Sequence, residues 1–361
     1  MIMKKMLLIA LAIILVIAVG LSIFLLFHLK GSNYVYQGNS IYEVDYQPQN
    51  QYASYKNDLI ITTTTETIAI NNSGKVIWQI PTTCVAPKLQ VSGNYILVAD
   101  INGQNIYVIK DGNILYEKTL DNTIFNAHIN ESGFLAVSTA ADGFASQITV
   151  YNASGTETYY YSISDSIAID GVVSPDNHSL AVSLYGTDSG QVTSTIAFID
   201  MGKQAIMQKP SYTNIAISNI YYNSNGCLFA VGDTAAIYFD KNGKYLWTSK
   251  YNSQVLVNFV FNKNNGFSLI LKNTIGTATV KNFNFNNKEI NEKDLDFYPQ
   301  NITQNNSSVL LAGQRMFVSL GKSGKLSGNK SIQKDYTYIC VSQNGKYFYG
   351  ISGNTIELIK I

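Results

Sequence analysis

The sequence predicts an all-β chain closed into an eight-bladed β-propeller, preceded by one N-terminal transmembrane helix. Three observations carry this expectation. A turn rich in Gly, Asn and Asp, followed by a short apolar strand, recurs about every 40 residues. A second turn joining two further strands follows within each unit, and an uncharged stretch, residues 6–27, precedes the repeats. Four short strands per unit at a period of about 40–45 residues is the signature of a propeller.

The repeats come first. The first turns are marked by Asp58, Gly93, Gly133, Asp176, Gly226, Gly266, Asn306 and Gly345, at steps of 35, 40, 43, 50, 40, 40 and 39 residues. The second turns fall at Gly74, Gly112, Gly155, Gly202, Gly243, Asn286–Asn287 and Gly324, seven against eight. The last unit stops inside its third strand, residues 355–361, and lacks an outer one. Residues 41–46 have the alternation to supply it, with the first full blade beginning near Gln51. Such a strand closes the ring and removes an open sheet edge. Eight blades is the count; seven is the alternative.

The N-terminal stretch is 22 residues long and follows Lys4 and Lys5. As a helix it spans roughly 33 Å at about 1.5 Å per residue, against a hydrocarbon core of about 30 Å. A cleaved signal peptide is the rival, with small residues at Ala18 and Gly20. The apolar run continues to Phe27, however, past the roughly 7–15 residues such a signal needs. The lysine bias favours a cytoplasmic N-terminus. The expected layout is a cytoplasmic segment 1–5, a signal anchor 6–27, a stem 28–40 and an extracytoplasmic propeller 41–361 in the cell envelope.

Composition narrows the function classes. The 361 residues are 46% hydrophobic and 14% charged, with 25 basic and 24 acidic side chains. That excludes a disordered chain, and a formal charge of +1 leaves no electrostatic footprint for nucleic acid. Arg315 is the one arginine, so bidentate phosphate clamps are not available.

Four of the second turns share an aromatic residue four positions after the glycine: Trp78, Tyr116, Tyr159 and Trp247. The segments 69–78 and 238–247 resemble the repeat of quinoprotein-like (PQQ-like) propellers. The Pro175-Asp176 unit looks more like a WD40-type or TolB-type repeat. The resemblance implies that these four aromatics dock each blade against the next. The whole plan also resembles membrane-anchored propellers of low-GC Gram-positive bacteria, a group with no agreed activity to carry over. The quinone itself is not implied. Quinoprotein dehydrogenases carry adjacent cysteines, whereas Cys84, Cys227 and Cys340 are far apart, so no cofactor and no metal are expected.

No Gly-x-Ser-x-Gly elbow, Walker loop or His-Glu-x-x-His helix is present, so no catalytic residue is assigned. The three cysteines read as small buried hydrophobes, and His128, on an innermost strand, as a structural hydrogen-bonder. The most suggestive constellation is acidic. Asp100, Asp142, Asp188 and Asp233 fall between the second and third strands of four consecutive units, on one face, where they form turns or recruit a ligand. The expected function is a non-enzymatic scaffold for an envelope protein partner, tethered by the N-terminal helix. The alternatives are a ligand- or cation-sensing propeller, and an envelope hydrolase or lyase using Asp142 and Asp188.

Overall fold

The computed structural model describes residues 19–20, 35–262, 266–273, 276–284, 288–295, 297–304, 308–313, 315–321 and 326–360. The expected anchor, 6–27, lies outside these residues except for Val19 and Gly20, which have helical backbone. No helix among the described residues is long and apolar enough to cross a membrane.

The repeats form eight antiparallel sheets. Blades 1 to 6 occupy 51–81, 87–119, 124–163, 166–213, 217–250 and 255–295. Blades 7 and 8 are built on 301–332 and 338–360. Within each blade the strands run in chain order from an innermost first strand outward. Among the described residues the apolar core divides into eight clusters, one at each junction between neighbouring blades. This follows from the strand pattern. Second and third strands such as Asp58–Thr62 and Glu66–Ile70 are buried almost end to end, as strands covered on both faces must be.

Ring closure occurs as the turn count requires. Asn39–Glu43 pairs antiparallel with Thr355–Lys360, Tyr42 opposite Ile356 and Glu43 opposite Thr355. The strand starts and ends earlier than 41–46 because residues 45–50 turn into blade 1, where Asn50 donates to the Asp45 carbonyl at 2.9 Å. Ile41 and Tyr42 pack onto a cluster shared by blades 8 and 1. Blade 1 opens at Gln51–Tyr55. Residues 35–36 and 39–40, within the expected stem 28–40, are strand residues paired to the ring. Val35–Tyr36 adds a fifth strand to blade 7, parallel to Leu326–Ile332. Two residues are too short a run for alternation to reveal; an open outer edge of blade 7 supplied the partner.

The four aromatics sit at blade junctions. Trp78 of blade 1 lies over Gly112 in the second turn of blade 2, where a Cβ would come within 2.7 Å of its Cδ1. Tyr116 covers Gly155 of blade 3 in the same way. Tyr159 packs against the cluster between blades 3 and 4, as does Met201. Trp247 stacks on Phe283 of blade 6, ring centres 5.3 Å apart. At the closure, the Ile41 carbonyl occupies the space over Gly74 that a Cβ would need. Gly74 and Gly112 also have φ near +80°, so a side chain is excluded twice over.

Candidate functional site

The four acids between second and third strands do not converge. Asp100 is buried, and its Oδ1 accepts the backbone N–H groups of Val85 (2.6 Å) and Ala86 (3.1 Å). Asp233 Oδ1 accepts the Ala216 N–H at 2.8 Å. Both carboxylates latch the chain entering a blade to that blade's own hairpin of second and third strands. Asp142 and Asp188 stand exposed at the tips of their hairpins in blades 3 and 4.

Those hairpins lie at one end of the strands. At the opposite end, where first strands turn into second strands, the central channel widens into a cavity of about 1270 Å³. Its wall combines the lower halves of the first strands with the turns that follow them. His128, Tyr221, Phe259 and Phe261 contribute rings, and Lys56, Asn94 and Gln343 stand at the rim turns. His128 does lie on an innermost strand, as the repeat placed it. It is not the hydrogen-bonder expected there: the ring is 8% exposed and its Nδ1 has no hydrogen-bond partner.

Behind His128 runs a belt of polar groups through four blades. Lys88 Nζ donates to Asn126 Oδ1 at 2.6 Å. Asn126 Nδ2 donates to Asp170 Oδ1 at 3.0 Å, and Asp170 Oδ2 accepts the Ile220 N–H at 3.0 Å. Asp170 Oδ1 also accepts the Gly171 N–H, so the carboxylate joins blades 3, 4 and 5. The local cause is a repeated irregularity. In blades 3 to 6 the pairing of first and second strands slips just before Asn126, Asp170, Asn219 and Asn258. A bulge re-aims the next side chain; at Asn126, Asp170 and Asn258 that side chain accepts the following backbone N–H. Sequence reasoning missed this ring of Asx residues. A signal was there, an Asn or Asp six to eight positions before the first-turn marker in each of these four blades, but apolar periodicity gives it no weight.

Burial sets the ionisation of this cluster. It pushes Asp170 above the usual carboxylate range and Lys88 below the usual ammonium range, each partly offset by the other's charge. His128 is held well below the ordinary imidazole value, first by burial and then by Lys88. Asp170 Oδ1 lies 3.9 Å from Nδ1, but it already accepts two N–H donors, Asn126 Nδ2 and the Gly171 N–H, while Oδ2 accepts the third, from Ile220. Tyr221 faces the ring edge-on at 5.3 Å. Below pH about 6.5 the unfolded chain therefore binds a proton that the folded site refuses, and stability falls as pH drops. Asp170 contributes in the opposite sense, so a variant isolates the histidine. The melting temperature of the wild type is expected to fall more steeply between about pH 7 and pH 5 than that of His128→Gln. Parallel profiles in a thermal-shift series would place the acid sensitivity elsewhere.

Ring, closure and channel define the class: an eight-bladed, WD40-like β-propeller. The C-terminal WD40 domain of Sif2 superimposes with a TM-score of 0.63, covering 91% of this chain and 99% of that one at 14% identity. A eukaryotic initiation factor superimposes at 0.56, covering 83% and 80% at 13% identity. At such identities the likeness is one of fold. The chain belongs to the family of unknown function DUF5711, which it matches over residues 32–361. No curated protein matches it.

Proposed function

We propose that this propeller is a non-enzymatic docking module, tethered to the membrane through residues 6–27 and displayed outside the cytoplasm to an envelope protein. The observation that carries the reading is the hairpin of blade 4. Its strands, Ser179–Asp188 and Gln191–Asp200, are ten residues long, against five to eight for the corresponding strands elsewhere. Ile167 of the first strand pairs with Tyr185 of the hairpin, and Val192 lies two positions before Tyr185's other partner, Ser194, on the same face. All three are exposed, at 42%, 36% and 46%. Ser183, two positions below Tyr185, and Ser194, directly opposite Tyr185, bond to Ile217 of blade 5, so the apolar stripe begins where the blade junction ends.

Exposed apolar side chains grouped on a projecting element suit a protein interface. Charge indicates the kind of partner. The turns between second and third strands of blades 2 to 5 contain no lysine or arginine, while Asp142 and Asp188 stand exposed at their tips. A partner segment with apolar residues flanked by lysine or arginine is complementary. Exposed positions on separate hairpins suit recruitment better than a hydrolase or lyase, in which paired carboxylates need distinct environments. The uncharged N-terminal run and the resemblance to membrane-anchored Gram-positive propellers support the tether.

The test is a photo-crosslinking amino acid at Val192 in the full-length protein in its native membrane, with Tyr245, exposed on the outer strand of blade 5, as the control position. One defined adduct from Val192, reduced by Asp142→Asn/Asp188→Asn and absent from Tyr245, supports the reading. No adduct, or the same adducts from both positions, overturns it. Protease shaving of intact cells should remove the propeller; protection would reverse the topology.

A further inference from the structure

The cavity in the channel has two unlike walls. On one side Tyr221 stacks on Phe261, ring centres 5.2 Å apart at 21°, and meets Phe259 edge-on at 5.7 Å. On the other, Asn94 and Gln343 are exposed at the rim. Free charge is scarce. Lys56 is paired with Asp111 at 2.9 Å, and Glu131 is likewise engaged. His128, which burial keeps neutral, is more than nine-tenths buried, faces the cavity and has an unpartnered Nδ1. A buried polar ring without a protein partner asks for one outside the protein. In either tautomer the neutral imidazole keeps one ring nitrogen as an acceptor for a ligand hydroxyl.

These features describe one kind of ligand. It is uncharged, has a flat apolar face to lie on aromatic rings, and carries hydroxyls to donate to an imidazole and to exchange hydrogen bonds with amides. A pyranose ring has all three. The volume of about 1270 Å³ exceeds the roughly 300–1,000 Å³ of pockets for single small molecules, leaving room for several linked rings. We propose that the central cavity is a binding site for the end of a neutral oligosaccharide, with Tyr221 and Phe261 as the stacking platform and His128 as a hydroxyl acceptor. The site lies on the face opposite the blade 4 hairpin, so its failure leaves the docking reading standing, and the reverse.

The full-length protein, held in a detergent without a sugar headgroup, is titrated with chitooligosaccharides and malto-oligosaccharides. Oligogalacturonate serves as the charged probe and a Gly/Ser-rich peptide as the uncharged non-sugar polymer. Saturable quenching of tyrosine fluorescence by a neutral sugar series is expected. His128→Gln and Tyr221→Leu should weaken binding about tenfold or more. Because buried variants can misfold, Asn94→Ala and Gln343→Ala at the exposed rim are made as well. They should weaken binding several-fold at an unchanged melting temperature, while Asp142→Asn/Asp188→Asn leaves it unaltered. No saturable binding of either sugar series up to about 10 mM would overturn the proposal. So would preferential binding of oligogalacturonate or the peptide, or wild-type affinity in both the His128→Gln and rim variants.

Discussion

A chain trimmed to residues 51–361 is expected to lose the cooperative fold that residues 35–361 retain. The trimmed segment contains the outer strand of blade 8 and the fifth strand of blade 7. Without it, Thr355–Lys360 becomes an open edge, and the cluster joining blades 8 and 1 loses Ile41, Tyr42 and Val44. At about 1.5–3 kcal/mol for each side chain fully buried, discounted because two of the three are half-buried, the packing loss alone is about 4 kcal/mol. That is a large fraction of a net stability of about 5–15 kcal/mol, and it corresponds to a fall in melting temperature of roughly 10 °C or more. The unpaired edge adds self-association. Thermal unfolding with size-exclusion chromatography checks both. A monomeric 51–361 that melts with 35–361 would show that the ends of the chain do not close the ring. Gly74→Ala gives a milder version in the intact protein, because its Cβ would displace the Ile41 carbonyl.

Asp170→Ala is expected to be the most damaging single substitution in the channel wall, at about 3–5 kcal/mol, the range for removing one member of a buried charged network. The alanine leaves Asn126 Nδ2 and the Gly171 and Ile220 N–H groups without their acceptor, and strands the charge of Lys88 one step further along. Asp170→Asn should fall between, at about 1–3 kcal/mol, because an amide still accepts through its oxygen but turns a donor toward the Ile220 N–H. Denaturant unfolding orders the three proteins. An Asp170→Ala variant within about 1 kcal/mol of the wild type would mean that the belt does not tie the blades together.

Much of this architecture is legible from the chain because its signals are local. A glycine in a turn, the apolar run that follows it and the step to the next copy are short-range facts, and eight copies over-determine the blade. Even closure is a matter of counting turns: eight of one kind against seven of the other asks for one more strand, and Asn39–Glu43 supplies it. The aromatics at Trp78, Tyr116, Tyr159 and Trp247 were legible for the same reason, since a fixed offset from a turn becomes a fixed place on a blade.

The site was not legible in that way. Asp100 and Asp170 are equally plain aspartates in the sequence. One satisfies the N–H groups of the chain entering its own blade, and the other, turned by a bulge, reaches across two blade junctions. His128 looked like a structural histidine until the channel placed Tyr221, 93 positions later, against its edge and left Nδ1 unpaired. By itself, then, the sequence determined blade number, strand order and closure, because these depend on turn chemistry and alternation within a few residues. Only the tertiary structure decided which carboxylates are spent as latches, which stand exposed, and which rings meet in the channel, because those depend on contacts between side chains from different blades.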